Sequence, residues 1–269
     1  MKIGVIGVGK VGSAISFGFQ RIGHEVLQHD VKLNTQLKDV LTAQLVFVCV
    51  PTPQSADGHC NRQLVYDVVR DLAGAEYKGL IVVKSTVTPG TTDSLQSSWP
   101  NLRLAFCPEF LRERAAFSDF VENQDICIAG VYHFKDAELI AHAHGSLPKH
   151  FSHMRPHEAE FCKYFCNTFN ALRIVFANQF YEVCKTVGAD YAVIKNAVVK
   201  RENIGDHYLE CNEQFRAFGG SCLPKDTAGF AAFIRDYKID APLFEQIVNI
   251  NAGINEKPST IVKFAKRSS

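Results

Sequence analysis

The sequence predicts an α/β protein, a mostly parallel sheet followed by a smaller, mainly helical domain with a long central helix. Three observations carry that prediction. Short β-branched runs alternate with helix-period segments as far as about residue 130. Two of the runs, Leu45–Val50 and Leu80–Lys84, are apolar almost without interruption, the pattern of strands covered on both faces. From His157 to Gly188 the chain has neither proline nor internal glycine, a stretch well beyond the ~10–14 residues of an ordinary globular helix.

Each element follows from its residues. Lys2–Gly7 is a β-branched run that ends in glycines, and Val11–Ile22 carries apolar residues at helical spacing, so a strand, a tight turn and a helix are expected. His24–Asp30 alternates as a second strand, and Leu45–Val50 is a third, stopped by Pro51-Thr52-Pro53. Then come a helix at Val65–Leu72, a strand at Leu80–Lys84, a helix at Thr91–Ser97, a strand at Arg103–Phe106 and a short one at Asp125–Ala129. Beyond it no further strand is expected. The long helix is followed by helical segments near Tyr191–Val199, Lys225–Asp236 and Leu243–Ile254. The reading places a first domain over 1–156 and a second over 157–269.

Bulk properties exclude several function classes. Hydrophobic residues at 46% against 21% charged leave ample material for a core, and a net charge of +1 provides no broad field to hold nucleic acid or an anionic membrane. The N-terminal apolar run lacks a basic flank and a cleavage site, and no stretch reaches the ~18 apolar residues of a membrane span, so a cytoplasmic protein is expected. Nine scattered cysteines, an odd count without any Cys-x-x-Cys pair, argue against a disulfide framework and a structural zinc site.

Gly7, Gly9 and Gly12 form a G-x-G-x-x-G turn between the first strand and first helix, and Asp30 closes the second strand eighteen residues after Gly12. Glycines at this spacing let backbone N–H groups approach a pyrophosphate at a helix start. An acid at that strand end accepts bonds from a ribose and repels a 2′-phosphate, which favours NAD over NADP. The strand ends at Pro51-Thr52-Pro53 and Ser85-Thr86 point toward the same crevice, although either alone also reads as a turn or cap.

Lys163 and Asn167 lie four apart, on one face of the long helix, where a lysine among Phe161 and Phe165 polarises an oxygen and an amide orients one. On spacing alone, a solvated lysine is the competing reading. Glu109 and Glu113 are also four apart, with Arg112 and Arg114 beside them, which reads either as a general base or as a surface charge cluster. In Gly219-Gly220-Ser221-Cys222-Leu223-Pro224-Lys225-Asp226, paired glycines precede a thiol at a helix start next to Lys225, a setting that lowers a thiol pKa and makes a nucleophile. The other eight cysteines read as buried and structural. His142, His144, His150, His153 and His157 match no metal-ligand spacing, so a packing or surface role in a loop-like segment, and no metal, is expected.

Taken in order, Gly7–Gly12, Val50-Pro51-Thr52-Pro53, Lys84-Ser85-Thr86 with Pro89-Gly90, Pro108–Glu113, Ala159-Glu160 with Lys163 and Asn167, and Gly219–Asp226 resemble the UDP-glucose/GDP-mannose dehydrogenase family. The resemblance implies a Rossmann-like fold and NAD-dependent oxidation of a nucleotide-sugar primary alcohol to the acid, with Cys222 as covalent nucleophile. It further implies that Lys163, Asn167 and Asp226 organise the reacting oxygen and water, that Thr86, Glu109 and Glu113 complete that site, and that Val11, Asp30, Thr52, Thr86, Glu113 and Lys225 attend the cofactor. A homodimer formed through the long helix is implied too. So is a further nucleotide-binding domain, which these 269 residues do not contain. Two departures stand out: only fifteen residues separate Asp30 from Val46, where relatives carry a longer insertion, and Arg216-Ala217 replaces a usual Phe-Gly pair. A two-domain β-hydroxyacid dehydrogenase, also with a Lys and Asn four apart on its long helix, and a non-catalytic NAD-binding module remain as other readings.

Overall fold

A computed structural model describes residues 1–256, and its contacts divide the chain into two units, Met1–Phe165 and the residues from Cys166 on. The first unit opens with β1 (Lys2–Ile6), α1 (Lys10–Arg21), β2 (Glu25–His29) and β3 (Leu45–Val48). It continues with α2 (Gln63–Gly74), β4 (Leu80–Val83), α3 (Thr91–Ser98), β5 (Arg103–Phe106), α4 (Ala116–Val121), β6 (Ile126–Val131), α5 (Phe134–His144) and β7 (His150–Met154). The seven strands form one sheet in the order β2-β1-β3-β4-β5-β6-β7. The fold is the α/β, Rossmann-like one that the strand–helix alternation predicts.

The apolar runs are continuous because each strand feeds two cores. Val46, Val48, Ile81 and Val83 face one hydrophobic cluster, while Leu45, Phe47, Leu80 and Val82 face the other, as the two-residue period of a strand requires. All eight are fully buried, each worth ~1.5–3 kcal/mol relative to exposure. β1 pairs in parallel with β2 on one side and β3 on the other. The chain therefore reverses its direction of travel across the sheet between β1 and β3, and ligands of open α/β sheets bind beyond the strand ends at such a switch point.

Two expectations need correction. Strands do not stop near residue 129: β7 pairs in parallel with β6 and forms an edge of the sheet. Its sequence His-Phe-Ser-His-Met has no apolar alternation, since an edge strand buries little and gains from polar residues that discourage further pairing. The histidines are likewise not in a loop. His142 and His144 lie on α5 and His150 and His153 on β7, with His144 fully buried. β6 also runs antiparallel to β5, so the sheet is mixed.

The long helix, α6 (Pro156–Val187), spans 32 residues. Glu158 Oε2 accepts the Arg155 amide at 2.8 Å before its first turn, and Gly188 leaves it with φ +77. Its first turns belong with the sheet: Ala159 is a core residue of the first unit, and the buried Glu160 accepts the amides of Gly90 and Thr92 at the start of α3. The second unit holds the remainder of α6, then α7 (Tyr191–Val198), α8 (Leu223–Asp236) and α9 (Pro242–Glu256). α7 is capped by Asp190, which accepts the Ala192 and Val193 amides, and α8 packs on α9 through Phe230 and Phe244, edge to face at 4.9 Å. Among the described residues no helix is long and apolar enough to cross a membrane.

Candidate active site

In the first unit, the glycine turn takes its shape from steric necessity. Gly7 has φ +88, and a Cβ on it would lie 2.7 Å from the Cys49 carbonyl oxygen; a Cβ on Gly12 would lie 2.0 Å from that of Gly7. Gly9, the N-cap of α1, has nothing within 4 Å of the place a Cβ would occupy, so that side of the turn is open to a close-lying ligand. The first turn of α1 carries no acidic residue, and Gly9 makes no side-chain cap, which suits an anion at the helix start. Val11 is half-buried just inside that start.

Asp30 closes β2 as expected. Its carboxylate accepts the Lys32 amide at 2.8 Å and the Val8 amide at 2.6 Å, and these bonds hold its pKa below the ordinary carboxylate value. An ionised, half-buried carboxylate at the end of β2, tied to the turn that follows β1, fits the ribose of a dinucleotide, so these residues are suited to NAD. Thr52 is buried beyond β3, and Ser85 ties the end of β4 to that of β3 by donating to the Val50 carbonyl at 2.7 Å. Half-buried Thr86 follows, with its own carbonyl accepting from Cys60.

Glu109 and Glu113 part company because residues 108–113 are not helical. Glu109 turns inward. Lys163, only 4% exposed, donates to the Glu109 carbonyl at 2.7 Å and to its Oε1 at 2.9 Å. Burial works to raise the pKa of Glu109, but the charge and hydrogen bond of Lys163, the Leu111 amide and Lys84 outweigh it and leave the acid below its usual range. The solvated-lysine and surface-cluster readings therefore fail for this pair. Glu113 instead forms an exposed ion pair with Lys10 of the glycine turn.

In the second unit, Cys222 is the half-buried N-cap residue of α8, with Pro224 in the first turn. Its carbonyl accepts the Asp226 amide at 2.9 Å, and Ser221 Oγ lies 3.6 Å from its sulfur. Asp226 is 2% exposed and accepts from Asn167 Nδ2 at 2.5 Å and from Lys225 Nζ. Asn167, Asp226, Lys225 and Cys222 thus form one polar group about the start of α8. A buried carboxylate held by an amide and an ammonium is what a site needs to fix an oxygen or move a proton.

Sequence reasoning missed three features. Glu160 appeared only as part of a motif, yet it is fully buried, and burial pushes its pKa to about 7 against the hydrogen bonds from Thr92 and Gly90. Arg112 is no loose surface charge, since its guanidinium and amide both bind Asp119. Lys84 is buried and donates to the carbonyl of Cys107. Each partner lies seven to seventy residues away, beyond the reach of helical or strand spacing.

Fold and glycine turn together define a doubly wound protein of the dinucleotide-binding type. The models of the UDP-glucose/GDP-mannose dehydrogenase family match both units, the NAD binding domain over residues 28–144 and the central domain over 157–253. The chain belongs to that family. It is 30% identical over 251 residues to the UDP-glucose 6-dehydrogenase of Rickettsia bellii, an alignment that covers 90% of this chain and 56% of the relative. It thus spans little more than half the length of that protein. The UDP-glucose dehydrogenase of Pyrobaculum islandicum superposes with a TM-score of 0.85 at 27% identity, covering 94% of this chain and 68% of that one. The 3-hydroxyisobutyrate dehydrogenase of Mycobacterium tuberculosis shares the fold, with a TM-score of 0.70 at 14% identity and coverage of 94% and 92%.

Proposed function

We propose that the chain binds NAD at the glycine turn and oxidises the primary alcohol of a UDP-glucose-like nucleotide sugar to the uronic acid through a covalent adduct on Cys222. The observation that carries this reading is Lys163, a buried ammonium held by Glu109 where a helix-face lysine is ordinarily solvated. NAD, when bound, supplies the acceptor for the hydride lost in each of the two oxidations. Lys163 stabilises the alkoxide that develops as the alcohol loses its proton. The Cys222 sulfur adds to the aldehyde carbon as a thiohemiacetal, loss of the second hydride from that carbon leaves a thioester, and water cleaves it to the acid and the free Cys222 thiolate, with Glu109 or Asp226 taking the water proton. Asn167 orients the reacting oxygen, and Thr86 lines the same chemistry. Gly7, Gly9, Val11, Gly12, Asp30, Thr52, Thr86, Glu113 and Lys225 serve the cofactor.

The test is NADH formation with UDP-glucose or GDP-mannose. Two NADH per sugar, abolished in Cys222→Ser, is the expected result, and undiminished NADH in that variant removes the covalent route. One NADH per substrate favours the β-hydroxyacid reading, whose fold the mycobacterial enzyme shares. NAD binding without turnover on any nucleotide sugar favours a binding module that works with a separate nucleotide-binding domain. A homodimer through α6 is part of the same proposal. It is supported by Phe176, Phe180, Val183 and Val187, exposed at heptad-like spacing on that helix, and sedimentation of the purified chain checks it.

A further inference from the structure

We propose that Cys107, Cys127 and His144 form a buried site for one soft, thiophilic d10 cation, Cu(I) or Zn(II). Three elements of the first unit converge there. Cys107 follows β5, Cys127 lies on the antiparallel neighbour β6, and His144 is the last residue of α5, which packs on the same face of the sheet. The two sulfurs and a ring nitrogen all lie within 4.8 Å of one another. The sulfurs are 3.9 Å apart. Two metal–sulfur bonds of ~2.3 Å meeting at a trigonal to tetrahedral angle span about that separation.

The imidazole is prepared as a ligand. Its Nδ1 lies 2.9 Å from the Ile140 carbonyl, which can only accept, so Nδ1 carries a proton and Nε2 is the nitrogen left to offer a lone pair. That nitrogen is buried inside a cage of Phe19, Phe47 and Phe120, where no group meets it at good hydrogen-bond geometry and the Cys107 thiol is the polar group beside it. A backbone carbonyl that fixes the tautomer while the other nitrogen stays free is the outer-shell arrangement of a metal-ligating histidine. A buried acceptor without a well-placed donor is rare enough to need a cause, and a cation bound by both sulfurs and this nitrogen supplies one here.

Charge narrows the choice. Lys84 Nζ lies 3.3 Å from Cys107 Sγ and can donate to a coordinated thiolate. Two thiolates with that ammonium sum to a single negative charge, which Cu(I) neutralises with three ligands, whereas Zn(II) leaves a positive charge and seeks a fourth. None of the three ligands takes part in the proposed oxidation, so this inference stands or falls separately from it.

The experiment loads the reduced 269-residue chain with Cu(I) or Zn(II) from a competing chelator, then measures metal per chain after desalting and thiolate-to-metal absorption in the ultraviolet. Wild type is expected to retain one ion per chain. Cys127→Ala and His144→Phe are each expected to weaken uptake by more than the ~10–100-fold that loss of an outer partner costs. His144→Phe fills the aromatic cage and keeps the test meaningful if the cysteine variant does not fold. Cys222→Ser, inactive in the proposed oxidation, takes up the ion as wild type does. Wild type that retains neither ion, or uptake that Cys127→Ala and His144→Phe leave unchanged, overturns the proposal.

Discussion

Helix α1 starts after a glycine bend at Gly7–Gly9 and α8 after one at Gly219-Gly220, and the two bends are held in different ways. In the first, packing leaves no room for a side chain at Gly7 or Gly12, because backbone carbonyls stand where the Cβ would go. In the second, nothing lies within 4 Å of a Cβ at either glycine, and only the φ of +80 at Gly220 asks for a residue without one. The first bend is thus dictated by the unit it belongs to. The second is set by a single dihedral, which leaves its remaining small residue without a packing reason among the described residues.

The largest effect expected from this contrast is at Gly12. An alanine there meets a backbone oxygen at 2.0 Å, so the turn or α1 itself must shift. Overpacking ordinarily costs ~1–3 kcal/mol, and a rigid backbone neighbour puts this case at the upper end or beyond. Denaturant unfolding of Gly12→Ala is expected to show that loss together with loss of NAD binding. A midpoint equal to wild type would mean that the first bend is as loosely held as the second.

A third helix start calibrates the other two, because α3 has its anion built in. Glu160 accepts the Gly90 and Thr92 amides and the Thr92 hydroxyl, yet burial raises its pKa to about 7. A carboxyl whose pKa is higher folded than unfolded favours the fold most below its unfolded value of ~4.3, and that contribution fades as pH rises through the folded value. The expected loss between about pH 4.5 and 7.5 is up to about 3 kcal/mol. Stability of wild type should therefore fall relative to Glu160→Gln across that window, whatever the offset between the two proteins. Parallel pH profiles would show that the amides of α3 fully offset the burial of the acid.

These contrasts also explain what the sequence made legible. The glycine turn and Asp30 were readable because a backbone constraint demands particular residue types at fixed local spacing. The covered strands were readable because period-two burial on both faces leaves continuous apolar runs such as Leu45–Val48. Lys163 was only half readable: helical spacing put it on a face with Asn167, but its burial depends on Glu109, fifty-four residues earlier. His144 was hidden among irregularly spaced histidines because its neighbours come from β5 and β6 rather than from its own helix. β7 gave no apolar signal, since an edge strand depends on its single partner and not on a core.

Near α8, Gly220 and Ala217 form a reciprocal pair. Gly220→Ala puts a Cβ at φ +80 and should cost about 1–2 kcal/mol, the usual left-handed penalty. Ala217 already carries that penalty, with φ +55, and it is held there by Asn178 Oδ1, which accepts both its amide and Arg216 Nε. Ala217→Gly should stabilise by up to ~1 kcal/mol, the entropy of glycine taking back part of the gain. If thermal unfolding of the two variants shifted in the same direction, backbone strain would not be what shapes this loop.

The smallest expected change in stability is the most informative about function. Gly219 has ordinary φ and open space around its absent Cβ, so alanine should alter stability by no more than ~0.5 kcal/mol. If the bend is small because a sugar nucleotide lies against it, the same methyl should raise KM for UDP-glucose while leaving the unfolding midpoint in place. Gly12→Ala would show the reverse order of effects, with stability lost first and binding lost because of it. A Gly219→Ala variant with wild-type KM and wild-type stability would leave the second bend unconnected to substrate and would place the discrimination of the sugar elsewhere in the chain.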